Sequence, residues 1–196
     1  MSFFPINEVR GKHLVQEEKL KFKVEKIKSI SDINFDGPVD LIELKKRDDR
    51  LLYIFRFNEN QVAFDAITGK IISFLNEQEV IQTTSKKLLF PSIPNNIALI
   101  NSKSREYNGD LPVWRIDYIY PEVYSLYISP ITGEIKTIRN QKWRIFDFFW
   151  MLHIMDYTAR ENINSPWLLG LAIASVIFAI TGFLLIWSTF RRKRFK

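Results

Sequence analysis

The chain has 196 residues, of which 46% are hydrophobic and 14% aromatic, so it is too apolar to be a disordered polypeptide. Its formal charge is +6, but five basic residues lie among the last six positions, and without them 23 basic residues face 22 acidic ones. A nearly neutral body does not fit a nucleic-acid-binding protein, which carries positive charge on its folded surface. The absence of cysteine excludes disulfides, thiolate catalysis and Cys-ligated metal sites.

Residues 1–29 are charged and rich in lysine, and they contain no apolar segment long enough for a signal peptide. We interpret them as a linker that follows a first membrane helix. Partial alternation of apolar residues makes 20–27 a candidate strand. Gly37 and Pro38 then interrupt the chain before the first strongly apolar run.

Short apolar runs separated by turn residues predict an α+β body made of two small antiparallel sheets with a helix. In the first unit, residues 30–75, we predict strands at 41–46, 51–57, 61–65 and 70–73. The second unit, residues 76–139, opens with a helix to about residue 87, since Asn76 and Glu79 have the spacing of a capping box. Its strands are predicted at 96–101, 113–118, 123–128 and 134–137.

A seven-residue pattern occurs twice, at 65–71 (Asp-Ala-Ile-Thr-Gly-Lys-Ile) and at 129–135 (Ser-Pro-Ile-Thr-Gly-Glu-Ile). Before each copy the chain has two strands, first one that contains an arginine and then an apolar one that leads directly into the pattern. We therefore predict one hairpin turn made twice, in which glycine supplies a positive φ. The turn residues are Asp65, Thr68, Gly69, Thr132 and Gly133.

Residues 140–165 are predicted to form a short aromatic helix and a linker. Phe146, Phe149, Trp150 and His153 recur at i, i+3, i+4 and i+7, which places them on one helical face. Together with Trp143, these aromatic side chains are expected to lie in the membrane interface and anchor the body there.

Residues 167–189 contain no charged residue. At about 1.5 Å per residue, such a helix can cross a hydrocarbon core of about 30 Å. Trp167 and Trp187 lie near its ends, where indole rings favour the interface, and Pro166 suits the first helical position. We predict a transmembrane helix at 166–190 and a basic tail at 191–196. The tail residues expected to set the orientation are Arg191, Arg192, Lys193, Arg194 and Lys196.

Cationic flanks stay in the cytoplasm, so the body is expected outside, in the periplasm or at the exterior of a bacterial inner membrane. Residues 1–28 contain no signal that would carry it there. Either an upstream membrane helix is missing from this chain or the orientation rule fails, and we favour the first interpretation. Two small-xxx-small pairs, Gly170 with Ala174 and Ser175 with Ala179, would let a partner helix approach closely.

The strand–Asp-x-x-Thr-Gly-x-Ile pattern resembles the PepSY domain, with Ser129 replacing the usual aspartate in the second copy. The aromatic stretch 143–157 and the apolar helix with Gly182 resemble the PepSY-associated transmembrane family, and 4–13 resembles the segment after a first membrane helix. The resemblance implies a membrane-bound extracytoplasmic module. Because such proteins occur near iron-uptake and flavin-reductase systems, it also implies an accessory role in membrane redox work or metal uptake.

The chain contains no H-E-x-x-H, G-x-S-x-G, P-loop or G-x-G-x-x-G motif, so we predict no enzyme and no metal site. Some siderophore-reducing relatives carry b-type haem, which makes His153 a candidate axial ligand. The second ligand would be His13, a residue of the missing helix, or another subunit's residue. A further alternative is a peptidase-binding or inhibitory module. The expected partners are a lipid bilayer and a membrane helix.

Overall fold

The computed structural model describes residues 5–16, 27–48, 50–58, 60–154 and 166–193. It confirms the predicted α+β class: two four-stranded antiparallel sheets, several helices and one long apolar C-terminal helix. Contacts divide the chain into two compact units, Met1–Trp143 and Arg144–Lys196. The strand predicted at 20–27 lies outside the described residues except for Ile27.

The first sheet is a meander whose strands lie in the order in which they occur along the chain. Two-residue loops begin at Asp48 and at Asn58, both with φ of 51°, the left-handed conformation that short hairpin loops require. All four predicted strands are confirmed, although the last one is shorter than predicted. They are β1 (Leu41–Arg47), β2 (Arg50–Phe57), β3 (Asn60–Asp65) and β4 (Ile71–Ile72).

The second sheet repeats this order after a helix. The helix begins with the predicted capping box, in which Asn76 Oδ1 accepts from Glu79 N at 2.9 Å and Glu79 Oε2 accepts from Asn76 N at 2.8 Å. The last strand runs three residues beyond the prediction, to Asn140. The elements are α2 (Glu77–Ser85), β5 (Asn96–Ile100), β6 (Val113–Tyr118), β7 (Tyr124–Ile128) and β8 (Ile135–Asn140).

The N-terminal segment adds to the core instead of serving only as a linker. It contains α1 (Ile6–Val9) and a 3-10 turn, Lys12–Leu14. Leu14 is buried against one face of the second sheet together with Val80 of α2. A second 3-10 turn, Ile30–Asp32, leads to Ile33, which is buried against the first sheet.

Both faces of the first sheet are covered, which explains why residues 51–55 of β2 are all buried. On one face, Phe35 packs its ring against Phe55 and Phe64. On the other face, Leu52 and Ile54 pack against Ile131 from the turn of the second sheet. The two sheets thus pack together within one compact unit, Met1–Trp143.

The remaining helices are α3 (Gln141–Ile154) and α4 (Pro166–Lys193), and Pro166 opens α4 as predicted. In α4, Pro166–Arg191 forms 26 residues that are long enough and apolar enough to cross a membrane, and none of its most apolar window is buried. This helix is therefore a candidate membrane span. In the tail, Arg191 is exposed, whereas the side chains of Arg192 and Lys193 and all of Arg194 and Lys196 lie outside the described residues.

Candidate functional site

The repeated turns have the same hydrogen bonds. In the first, Asp65 Oδ1 accepts from the backbone N–H of Ile67 at 2.9 Å and of Thr68 at 2.8 Å. In the second, Ser129 Oγ accepts from the two equivalent N–H groups, at 3.3 Å each. Three further hydrogen bonds occur in both turns. The glycine N–H donates to the carbonyl of Asp65 or Ser129, and the N–H of Asp65 or Ser129 donates to the carbonyl of the residue five positions later. That later residue in turn donates its N–H to the threonine hydroxyl of the turn. The predicted identity of the two turns is confirmed.

The arginines of the two repeats do not occupy equivalent positions. Arg56 pairs with Gln61, four residues before Asp65, whereas Arg115 pairs with Tyr127, two residues before Ser129. Arg56 reaches Asp110 at 3.1 Å and Glu43 at 3.0 Å. The two arginine-containing strands occupy the same place in the strand order of their sheets, but their arginine side chains form different ion pairs.

The two turns differ in burial. Ile67 of the first turn is 54% exposed, whereas Ile131 of the second is 1% exposed beneath the first sheet. Burial would raise the pKa of Asp65, but the hydrogen bonds from Thr68 and Ile67 outweigh it and hold that pKa below its usual value. At the buried second position, a neutral serine makes the same bonds without desolvating a charge.

The glycines of both turns have positive φ, as predicted: 74° at Gly69 and 67° at Gly133. A Cβ added at Gly69 would lie 3.5 Å from the Lys28 side chain. A Cβ added at Gly133 would lie only 2.8 Å from Thr83 Cγ2. The second glycine is thus required by packing against α2 as well as by its backbone conformation.

A buried junction ties the N-terminal segment to β8 and α3. Its centre is Asn140, which is 0% exposed. Its Nδ2 donates to the carbonyl of Glu8 at 2.8 Å and to Glu122 Oε1 at 3.1 Å, and its Oδ1 accepts from Trp143 N at 2.8 Å as the N-cap of α3. His13 Nε2 lies 3.1 Å from the same Glu122 oxygen.

An ion pair reinforces this junction. Lys142 donates to Glu8 Oε2, and this hydrogen bond lowers the pKa of Glu8 and raises that of Lys142. The side chains of α1, β8 and the first turn of α3 are therefore connected through hydrogen bonds.

Beside the junction lies an open groove of about 570 Å³ between β8 and residues 10–16. Gly11 lies against the strand β8 at this point: its φ is 68°, and an added Cβ would lie 2.6 Å from Ile138 Cγ2. At the end near α3, the guanidinium of Arg139 lies 4.1 Å from the ring centroid of Trp143. The charged side chains that line the groove are Arg10, Lys12, Lys87, Lys136, Arg139 and a single acid, Glu134.

The aromatic face predicted for α3 is visible in its ring contacts. The Trp150 ring lies 6.5 Å from that of Phe146 and 6.0 Å from that of His153, both between centroids. Phe149 is exposed and contacts Phe148 instead. His153 is also exposed, near the end of the helix. The interfacial role of this face, and of Trp143, Trp167 and Trp187, stays a prediction.

His13 is placed differently from His153. Its Nε2 is engaged with Glu122, and its Nδ1 is buried without a hydrogen-bond partner. Nε2 would have to give up Glu122 before it could bind haem iron. Among the described residues, no three His, Asp or Glu side chains converge in a way that could hold a metal ion.

Sequence reasoning missed the junction and the groove. Their partners are far apart along the chain: His13 and Glu122 are separated by 109 residues, and Glu8 and Lys142 by 134. No local pattern marks such pairs. Comparisons with protein-family models, with curated proteins and with solved structures found no match for this chain. Function is therefore proposed from the residues and their arrangement.

Proposed function

We propose that this chain is a membrane-anchored, non-enzymatic module. The observation that carries the proposal is α4: 26 residues, Pro166–Arg191, in which the most apolar window has none of its residues buried. Exposing apolar surface to water costs about 25 cal/mol per Å², so a helix of this length and composition is stabilised by moving into lipid. Arg191 begins a basic cluster that lipid would exclude.

The body in this proposal is a pair of PepSY-like units with an accessory role in a membrane redox or metal-uptake system. The recurrence of one turn with five equivalent hydrogen bonds in two sheets of the same strand order supports tandem units. The junction at Asn140 supports a body whose N-terminal segment, β8 and first turn of α3 are held together. The accessory role itself rests on the sequence resemblance.

Fractionation tests the anchor. The full-length chain and a version ending at residue 165 are expressed side by side, and membranes are washed with high salt and then with carbonate. The full-length chain should stay in the membrane pellet, and the shortened one should move to the soluble fraction while retaining its circular dichroism. Equal partitioning of two folded proteins would overturn the proposal.

In the proposed topology, the body lies outside a bacterial inner membrane and the C-terminus lies in the cytoplasm. The cysteine-free sequence allows a direct test, because a single introduced cysteine is the only thiol. Lys70→Cys, at an exposed turn of the body, should react with a membrane-impermeant maleimide in intact spheroplasts. Arg191→Cys should react only after lysis. The reverse pattern would contradict this orientation.

A second candidate function is electron transfer through a b-type haem held by His153. The observation that favours it is the exposure of His153 on the aromatic face of α3, with its ring beside that of Trp150. Imidazole is a common axial ligand of haem iron. The partner ligand would come from another helix or subunit, since His13 is engaged with Glu122.

A further inference from the structure

We propose that the groove between β8 and residues 10–16 binds the phosphate headgroup of an anionic phospholipid. The inference builds on the proposed membrane anchoring and adds a ligand class and a site to it. All of the groove's lining residues belong to the compact unit Met1–Trp143.

Charge is the first argument. Five cationic side chains and one carboxylate line the groove, although the chain without its tail carries 23 basic and 22 acidic residues. Glu134 is already paired, at 2.9 Å from Lys136 Nζ and 3.7 Å from Lys45 Nζ. Within the described residues, no ion pair joins Arg10 or Lys12 to an acidic side chain. The groove therefore concentrates positive charge that an anion would neutralise.

The backbone holds these cations in place. Gly11 touches Ile138, and Leu14, three residues on, is buried in the core and donates its N–H to the carbonyl of Gly11 at 3.0 Å. Arg10 and Lys12 flank Gly11 and are exposed. Their backbone positions are thus fixed, and the strand β8 contributes Lys136 and Arg139 to the same groove. A groove lined by cations from separate segments of the chain suits a tetrahedral phosphate, which accepts hydrogen bonds from several directions.

The neighbourhood of the groove favours a lipid over a soluble anion. Trp143, which lines the groove, is the third residue of α3, and indole rings favour the membrane interface. Arg139 stacks on that ring, with its Nε donating to the carbonyl of Glu106 at 2.7 Å. Clusters of Lys and Arg close to a membrane surface attract anionic headgroups.

Native mass spectrometry of the full-length chain in detergent tests the proposal. Phosphatidylglycerol and phosphatidylcholine with the same acyl chains are added in equal amounts, and the lipid retained by the protein is counted. The double variant Arg10→Gln/Lys12→Gln removes two groove charges from exposed positions. The matched control Lys70→Gln/Arg105→Gln removes two exposed charges elsewhere in the body and gives the same net charge.

The wild-type chain and the control should retain phosphatidylglycerol in preference to phosphatidylcholine. The groove variant should bind phosphatidylglycerol about thirtyfold more weakly, because it lacks two cations and each cation near an anionic headgroup contributes on the order of 1 kcal/mol. Higher salt should weaken retention by the wild-type chain. Equal retention by all three proteins, or an equal loss in the groove variant and the control, would overturn the proposal.

Two competitors separate the sources of the anion. Glycerol phosphate should displace the lipid only at millimolar concentration, and a short glutamate-rich peptide should not displace it at all. Tight binding of the peptide or of free glycerol phosphate, with no preference for phosphatidylglycerol, would also overturn the proposal. This test can fail independently of the anchoring test. A chain that fractionates with membranes but shows no headgroup preference would refute the groove proposal and leave the proposed membrane anchoring intact.

Discussion

Asp65 and Ser129 have the same role in two copies of one turn. Each side-chain oxygen accepts the N–H groups two and three residues further on, at 2.8–2.9 Å for Asp65 and 3.3 Å for Ser129. The first turn is exposed, and the second is buried beneath the neighbouring sheet. The repeat has kept the hydrogen-bond pattern while replacing the charge where it would have been desolvated.

Asp65→Ala should lower the free energy of unfolding by about 1 kcal/mol, because two backbone N–H groups lose their acceptor. Asp65→Ser should cost less than half as much, since serine makes these bonds in the second copy. Urea denaturation of the detergent-solubilised protein measures both variants. Equal stabilities of Asp65→Ala and Asp65→Ser would show that the side-chain acceptor is unimportant.

The effect of Asp65 should also depend on pH. Its pKa is lower in the folded chain than its usual value, so unfolding takes up a proton at acid pH. Its contribution is complete above the usual aspartate pKa of about 4 and is lost as the pH falls through the folded pKa. The stability difference between wild type and Asp65→Ser should therefore shrink between pH 6 and pH 3. A difference that stays constant would contradict this interpretation.

The two turn glycines should respond differently to alanine. Gly69→Ala places a side chain at positive φ with only ordinary contacts and should cost about 1–2 kcal/mol. Gly133→Ala should cost about 1–3 kcal/mol more, because its Cβ would lie 2.8 Å from Thr83 Cγ2. Thr83→Ser removes that methyl group and should recover part of the loss in the double variant. Thermal unfolding by circular dichroism measures all four proteins.

Sequence patterns predicted the strands well because two-residue loops and glycine turns are local signals. The capping box of Asn76 and Glu79 was predictable for the same reason, since three residues separate its partners. The burial of Leu14 was not predictable, because its partners lie on α2 and the second sheet. The groove likewise depends on the contact between Gly11 and Ile138, which lie far apart in the sequence and come together only in the folded chain.

Asn140→Ala should lower the free energy of unfolding by about 2–3 kcal/mol, because it removes the cap of α3 and leaves buried groups without partners. Hydrogen exchange should accelerate at the amide of Trp143, which loses its acceptor. Trypsin should also cut more readily after Arg10, since the tie to Glu8 is lost. Asn95→Ala, at an exposed site, should change stability by less than about 0.5 kcal/mol. Equal effects of both variants would refute the junction's role.

Alkaline pH should destabilise the body through its buried tyrosines. Burial raises the pKa of Tyr118 to about 12, and it raises that of Tyr124 as well. Unfolding therefore releases protons above pH 10, so the free energy of unfolding should fall by about 2–3 kcal/mol per tyrosine between pH 10 and 12. Tyr118→Phe should make this fall shallower, whereas Tyr120→Phe, at an exposed position, should not. An unchanged slope in Tyr118→Phe would contradict the assignment.

If the second candidate function holds, full-length protein purified from haem-replete cells should show a Soret band that His153→Ala abolishes. His13→Ala should retain the band, because His13 Nε2 is engaged with Glu122 and the second ligand comes from elsewhere. Circular dichroism confirms that each variant is folded, and Trp150→Leu tests whether the neighbouring ring contributes to the environment of the ligand. Membranes from haem-replete cells that contain the folded wild-type protein but show no additional haem signal over membranes with His153→Ala would contradict haem binding by His153.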